Sequence, residues 1–157
     1  PPYTVALDAG HGGFDTGAEA IIKELEVCEQ TVNALYTLLE QDSNYAPVRT
    51  RPNGEDRSIK ERAQAATDAG ASLLLSVHAN SKRIVDSTDT KIREQKSFGI
   101  VERPYCPAVL VEQCFLTNYS DVENWTGEAG CARAARIYYE AICAYFGTEP
   151  LPQGGSV

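Results

Sequence analysis

The chain has 157 residues and a formal net charge of −8, and 43% of its residues are hydrophobic. This length suits one ordinary domain that buries a core without disulfides or metals. The basic residues are scattered, which argues against binding to nucleic acid phosphates, and no apolar run approaches the ~18 residues of a membrane span. We therefore expect one globular domain with no membrane span and no nucleic acid partner.

The five cysteines predict neither a disulfide framework nor a cysteine zinc site, because their number is odd and no C-x-x-C pair occurs. Cys28, Cys131 and Cys143 fall on predicted helices as small core residues. Free thiols indicate synthesis in a reducing compartment, and Pro1 and Pro2 lead directly into a strand without a signal peptide. We expect the protein to be made in the cytoplasm and then released or secreted.

Strands and helices alternate along the chain. The predicted elements are a strand over Tyr3–Leu7, a helix from Glu24 to about Gln41, a strand "APVRT", a helix over Ser58–Asp68, strands over Ser72–His78 and Ala108–Glu112, and a helix over Glu128–Phe146. This alternation predicts an α/β fold with a twisted, mostly parallel sheet and helices on both faces.

Three polar residues follow predicted strands. His11 comes just after the first strand, His78 ends "SLLLSVH", and Glu112 ends "AVLVE". In an open parallel sheet, ligands bind beyond the carboxyl ends of the strands. The chain has two histidines, and neutral imidazole is the commonest metal ligand in proteins. The pattern predicts a metal site at this edge, with zinc bound by two histidines, a carboxylate and water as a common arrangement.

The third protein ligand should be a carboxylate that reaches the same edge. Glu24 begins the first predicted helix and can face His11. Glu19 and Glu26 are alternative ligands, and sequence spacing does not choose among the three glutamates. A glutamate at the start of a helix otherwise only complements the helix dipole, which contributes ~0.3–1 kcal/mol. These residues alone leave the choice open.

Glu112 is predicted to act in proton transfer. It follows four apolar strand residues, and the resulting desolvation should raise the pKa of its carboxyl toward neutral pH. The alternative is a buried glutamate paired with Arg49 or Arg51. Those arginines either orient substrate carboxylates or pair with Glu55 and Asp56, and we favour the structural role.

The glycine-rich loop "GHGGFDTGA" follows the first strand. A phosphate cradle is one interpretation, but the loop lacks the G-x-G-x-x-G spacing and the lysine and hydroxyl of a P-loop. We interpret its glycines as the residues that let the backbone bend tightly around His11.

Five motifs occur in a characteristic order: "DAGHGGFDTGA", "IIKE", "RTR", "SVHAN" and "PAVLVEQCFLTN". In this order they resemble the motifs of the zinc-dependent N-acetylmuramoyl-L-alanine amidases of bacterial autolysins and phage endolysins. The resemblance covers nearly the whole chain. It implies that His11, Glu24 and His78 bind one zinc ion and that Glu112 is the catalytic carboxylate. It also implies a sheet of about six strands.

The resemblance implies a peptidoglycan hydrolase of the bacterial cell wall that cuts the amide bond between N-acetylmuramic acid and the L-alanine of the stem peptide. Two alternatives stay open: a zinc peptidase acting within the stem peptide, and an inactive wall-binding module. Residues 1–147 are expected to form the zinc amidase catalytic domain. Residues 148–157 have linker composition, so we expect a further cell-wall-binding module to follow them.

One part of the chain departs from the family pattern. Members carry a further strand with a Gly-x-Glu motif and a long helix after "HAN", whereas here "SVHANS" passes directly to "KRIVDSTDTKIREQ". Either this is a shortened variant, or a segment is missing between Ser81 and Lys82. We favour the missing segment, because the loss of a strand and most of a helix would open the sheet.

Overall fold

The computed structural model describes residues 2–81 and 98–154. In chain order its elements are β1 (Tyr3–Ala9), α1 (Glu24–Glu40), β2 (Tyr45–Arg49), α2 (Ile59–Asp68), β3 (Leu73–Asn80), α3 (Gly99–Glu102), β4 (Ala108–Phe115), α4 (Tyr119–Trp125) and α5 (Gly127–Phe146). The predicted strands and helices are confirmed, while the short helices α3 and α4 were not predicted. The segment "KRIVDSTDTKIREQ" lies outside the described residues.

A single parallel sheet forms the centre of the fold. Its strand order is β2-β1-β3-β4, and each pair of neighbours is parallel. The α/β class is confirmed, but the expectation of about six strands is wrong for the described residues, which form four. That expectation came from the family resemblance. The sheet is nevertheless continuous, because β3 pairs directly with β4.

Helices cover both faces of this sheet. On one face, α1 and α5 pack over alternate residues of β1 and β3, among them Val5, Leu7 and Leu75. On the other face, α2 and α3 pack over Ala6 and Leu74. Each large apolar side chain buried in this way contributes ~1.5–3 kcal/mol to folding.

Two helix ends show why the chain changes direction where it does. The Ser58 side chain accepts a hydrogen bond from the Glu61 amide, and the Glu61 carboxylate accepts one from the Ser58 amide, so a capping box starts α2. α5 ends at Gly147, whose φ of 71° is the left-handed conformation that glycine tolerates. Among the described residues, none of the helices is long and apolar enough to cross a membrane.

The cysteines predicted as core residues lie in the core. Cys28 on α1 and Cys131 and Cys143 on α5 are buried, and all five cysteines are free thiols.

Hydrogen bonds join the tail 148–154 to the domain, among them one from the Thr148 amide to the Cys143 carbonyl at 2.9 Å. The Thr148 hydroxyl is hydrogen-bonded to the hydroxyl of Tyr45, and the Leu151 amide donates to the hydroxyl of Tyr139 at 2.8 Å. Its role as a linker to a further module stays a prediction.

A buried ion pair supports the carboxyl end of β1. Asp8 is fully buried and accepts two bonds from Arg62 of α2, each at 2.8 Å. The hydroxyls of Thr50 and Ser76 also donate to this carboxylate, each at 2.6 Å. Three segments are therefore fastened to β1 directly beneath the glycine-rich loop.

Replacing Arg62 by methionine should destabilise the domain by ~3–5 kcal/mol, because the Asp8 carboxylate then stays buried without its cation. Urea unfolding followed by circular dichroism measures this change. Arg57→Met is the matched control, since Arg57 pairs with Glu55 at the surface at 3.3 Å, and we expect it to cost at most about 1 kcal/mol. Equal effects of the two variants would contradict the assignment.

Candidate functional site

Three predicted ligands meet at the carboxyl edge of the sheet. His11 lies in the loop after β1, Glu24 is the first residue of α1, and His78 lies near the end of β3. Nε2 of His11 is 3.0 Å from Oε2 of Glu24, and Nδ1 of His78 is 3.1 Å from Oε1 of Glu24. One ligand atom from each residue lies within 4.8 Å of the others. The three side chains thus form a possible metal site.

Glu24 is buried, and backbone amides hold both of its oxygens. The Ala18 amide donates to Oε2 at 3.0 Å, and the Ala79 amide donates to Oε1 at 3.2 Å. Burial alone would raise the pKa of this carboxyl, but the hydrogen bonds from His11, His78 and the two amides hold the pKa well below its ordinary value. Glu24 is therefore a fixed, ionised carboxylate between two imidazoles.

His11 is held by carboxylates on both sides of its ring. Its Nδ1 is 2.9 Å from Oδ2 of Asp15, opposite the contact with Glu24. In the absence of metal, the hydrogen bond to Glu24 raises the pKa of His11 to about 8, assisted by Asp15 and opposed by burial. The site as it stands therefore favours a cation on this ring.

Two glycines make room for the ligand side chains. A Cβ on Gly10 would come 2.4 Å from the ring of His78. A Cβ on Gly17, whose φ is +66°, would lie 2.6 Å from Oε2 of Glu24 and from the ring of His11. The loop needs glycine at both positions because ring and carboxylate atoms occupy the space of a side chain.

Glu112 lies on β4 directly beside His78, since the two residues are partners in the parallel register. The residue is exposed at the rim of the site, yet desolvation of its carboxyl raises the pKa above the ordinary value. The charge of His78 opposes this rise, and the charge of Glu24 adds to it. The raised pKa agrees with the sequence prediction, although the degree of exposure is greater than we expected.

The two carboxylates that competed with Glu24 lie elsewhere. Glu19 accepts a hydrogen bond from the Thr16 hydroxyl at 2.8 Å and lies 4.0 Å from the ammonium group of Lys23. Glu26 is exposed on α1. Neither belongs to the cluster of possible metal ligands in the described part of the chain.

The structural role that we favoured for Arg51 is confirmed, but its partner was predicted wrongly. Its guanidinium pairs with Glu29 at 2.7 Å instead of with Glu55 or Asp56. It also donates to the carbonyl oxygens of Ala9 at 3.2 Å and Gly10 at 3.4 Å. Glu29 lies 22 residues before Arg51 in the sequence. The packing of α1 brings it to Arg51.

Arg49 makes a different contact. Its guanidinium lies 4.3 Å from the centre of the Tyr36 ring, a cation–π geometry that anchors β2 to α1.

Asp15 was not predicted as a residue of the site. This residue follows His11 by four positions in a turn closed by mutual backbone hydrogen bonds between Gly12 and Asp15, at 2.9 and 3.0 Å. An aspartate shortly after a histidine in a glycine-rich turn was the available signal.

Known amidases are similar to this chain in sequence. A family model described as N-acetylmuramoyl-L-alanine amidase matches residues 5–84, about half of the chain. The amidase LytC of Bacillus subtilis is 27% identical over 91% of this chain and 35% of LytC. The amidase CwlM of Bacillus licheniformis is 27% identical over 90% of this chain and 68% of CwlM. The chain thus spans about a third of LytC and two-thirds of CwlM.

The alignment with LytC runs over 176 residues while it includes 91% of a chain of 157 residues. LytC therefore carries internal residues that have no counterpart in this chain.

Solved structures share the fold. The catalytic domain of the amidase CwlV from Bacillus (Paenibacillus) polymyxa var. colistinus has a TM-score of 0.82 at 22% identity, covering 94% of this chain and 99% of that chain. An amidase from Clostridium difficile 630 has the same TM-score and identity, covering 94% of this chain and 98% of that chain. The family model confirms the family that the sequence motifs predicted, and the solved structures confirm the fold. The chain belongs to the N-acetylmuramoyl-L-alanine amidase family.

Proposed function

We propose that this domain hydrolyses the amide bond between the lactyl group of N-acetylmuramic acid and the L-alanine of the stem peptide. One zinc ion is bound by His11, Glu24 and His78, and Glu112 transfers protons. The observation that carries the proposal is the convergence of two imidazole nitrogens and one carboxylate oxygen within 4.8 Å. It occurs at the carboxyl edge of the sheet, where ligands of open α/β sheets bind.

The donor set suits zinc. Two histidines and one glutamate leave a position open for water or substrate, which is the pattern of catalytic rather than structural zinc sites. Zinc in such a site lowers the pKa of water toward ~7 and polarises a carbonyl. Nε2 of His11 and Nδ1 of His78 face the Glu24 oxygens, so these are the nitrogens that would bind the ion.

Glu24 gives the site its fixed negative charge. Its carboxylate stays ionised over the whole neutral range, since its pKa lies well below the ordinary value. The amides of Ala18 and Ala79 orient the two oxygens before any metal arrives. The residues therefore bind a cation without rearranging the carboxylate.

Glu112 is placed to move protons. It is the register partner of His78, and desolvation raises the pKa of its carboxyl above the ordinary value, the direction that favours holding a proton during general acid–base catalysis. Glu112 accepts a proton from the attacking water and delivers it to the leaving amine of L-alanine. General acid–base catalysis of this kind contributes about 10²–10⁴-fold in rate.

The family supports action on the bacterial cell wall, and peptidoglycan is the proposed substrate and partner. Production in the cytoplasm before release or secretion, and a further wall-binding module in the full-length protein, stay predictions. The domain assignment, with residues 1–147 catalytic and residues 148–157 a linker, belongs to the same proposal.

Glu112→Gln should lower the rate of peptidoglycan hydrolysis by about 10²–10⁴-fold, because an amide of the same size neither accepts nor delivers the proton. Newly formed N-terminal alanine on purified peptidoglycan measures the rate. The zinc content should stay unchanged, which separates proton transfer from metal binding. Glu128→Gln, at an exposed position on α5, is the control that should retain full activity.

Mass spectrometry of the released fragments tests the cleaved bond in the same reaction. An amidase frees alanine from muramic acid, whereas a peptidase leaves the two joined. Equal hydrolysis by the wild type and Glu112→Gln would remove Glu112 from the mechanism. The absence of any product from the wild type would favour the wall-binding module.

Zinc affinity should depend on pH, because a histidine binds metal only in its neutral form. The metal-free pKa of His11 is about 8, so at pH 7 zinc must displace about one proton from this ring. Apparent affinity should therefore rise nearly tenfold per pH unit between pH 6.5 and 7.5 and level off above pH 8. Calorimetric titration in buffers of different ionisation enthalpy counts the released protons, and binding without proton release would contradict the prediction.

A further inference from the structure

Asp15 lies beside His11, opposite Glu24. Oδ2 of Asp15 is 2.9 Å from Nδ1 of His11, while Nε2 of the same ring is 3.0 Å from Oε2 of Glu24. The two ring nitrogens therefore face different carboxylates. A neutral imidazole carries one proton, on either nitrogen. If Nε2 binds metal, the proton must lie on Nδ1, where Asp15 can accept it.

The carboxylate of Asp15 is fixed in this orientation. Its Oδ1 accepts a hydrogen bond from the Gly17 amide at 3.0 Å. Its backbone forms a closed turn with Gly12, in which each residue donates to the carbonyl of the other. Because each oxygen has its own partner, Oδ2 remains directed at His11.

The backbone of His11 is held as well. Its φ is 65°, and it is the one non-glycine residue in the described ranges with a positive φ. Such a conformation persists only where the surroundings hold it, and it is common at functional sites. Arg51 supplies part of this support, since it donates to the carbonyl oxygens of the two preceding residues, Ala9 and Gly10. Arg51 thus fixes the backbone, and Asp15 fixes the ring.

We propose that Asp15 is a positioning residue of the metal site: it accepts the Nδ1 proton of His11 and so keeps Nε2 available to bind zinc. The inference rests on the proposed function, because it uses His11 as a ligand. Carboxylates hydrogen-bonded to metal-binding histidines fix the tautomer and orientation of the ring, and their removal weakens metal binding by about 10–100-fold.

Asp15 contributes little to the fold itself. Its side chain is 59% exposed, and exposed pairs of this kind add little to folding stability. Its removal should therefore change the metal site without unfolding the domain. Glu19 provides a matched control, because its side chain is 57% exposed on the same loop and its partners are Thr16 and Lys23 instead of a histidine.

Competition with a chelator measures the zinc affinity of four proteins: the wild type, Asp15→Ala, Asp15→Asn and Glu19→Ala. We expect Asp15→Ala to bind zinc about 10–100-fold more weakly than the wild type and Glu19→Ala to match the wild type. The zinc affinity of Asp15→Asn should fall between those of Asp15→Ala and the wild type, because its amide oxygen still accepts a hydrogen bond but carries no charge. This variant keeps the test decisive if Asp15→Ala does not fold.

Nitrogen-15 NMR of the zinc-loaded proteins supplies a readout that a purely structural role would not change. The chain has two histidines, so the imidazole spectrum contains two rings. The wild type should show His11 protonated at Nδ1, with a proton protected from exchange with water. In Asp15→Ala this protection should be lost.

Two results would overturn the inference. If Asp15→Ala binds zinc as tightly as the wild type and retains the protected Nδ1 proton, the positioning role is wrong while the proposed function stands. If the wild type itself binds no zinc, both fail.

Discussion

The carboxylate of Glu24 is the group on which the rest of the site depends. Burial would neutralise it, yet two imidazoles and the amides of Ala18 and Ala79 keep it ionised. This places a fixed negative charge between His11 and His78, so each ring is aligned by the same group. The same carboxylate raises the pKa of His11 to about 8 through their hydrogen bond. A preformed charge of this kind reduces the rearrangement needed to bind a metal ion.

The fold creates this arrangement through parallel strand pairing. β1 and β3 are neighbours that run in the same direction, so the residues after their carboxyl ends meet at one edge. The first turn of α1 returns to the same edge and brings Glu24 with it. Gly10 and Gly17 leave the space that the ligand side chains fill. Beneath them, the buried pair of Asp8 and Arg62 fastens β1 to α2.

Sequence reasoning predicted the parts of the site that depend on local pattern. His11, His78 and Glu112 were recognisable because each follows a short apolar run in the sequence, although β3 and β4 continue beyond His78 and Glu112. The choice of Glu24 over Glu19 and Glu26 was not available from spacing. It came from the family resemblance, and the structure places Glu24 alone of the three beside the histidines.

Apart from the local contact of Asp15 with His11, the contacts that were missed join segments far apart in the sequence. Arg51 pairs with Glu29, and Arg62 pairs with Asp8 from a residue separation of 54. No period or spacing encodes such partners, since they depend on how α1 and α2 pack on the sheet. The number of strands was wrong for another reason: about six was the number that the family resemblance implied, whereas the described residues form four.

Crystallographic anomalous scattering on either side of the zinc absorption edge tests the central claim most directly. The account predicts one zinc peak within bonding distance of Nε2 of His11, a carboxylate oxygen of Glu24 and Nδ1 of His78. A zinc-soaked crystal with no peak among these three residues, or with its peak at other side chains, would contradict it.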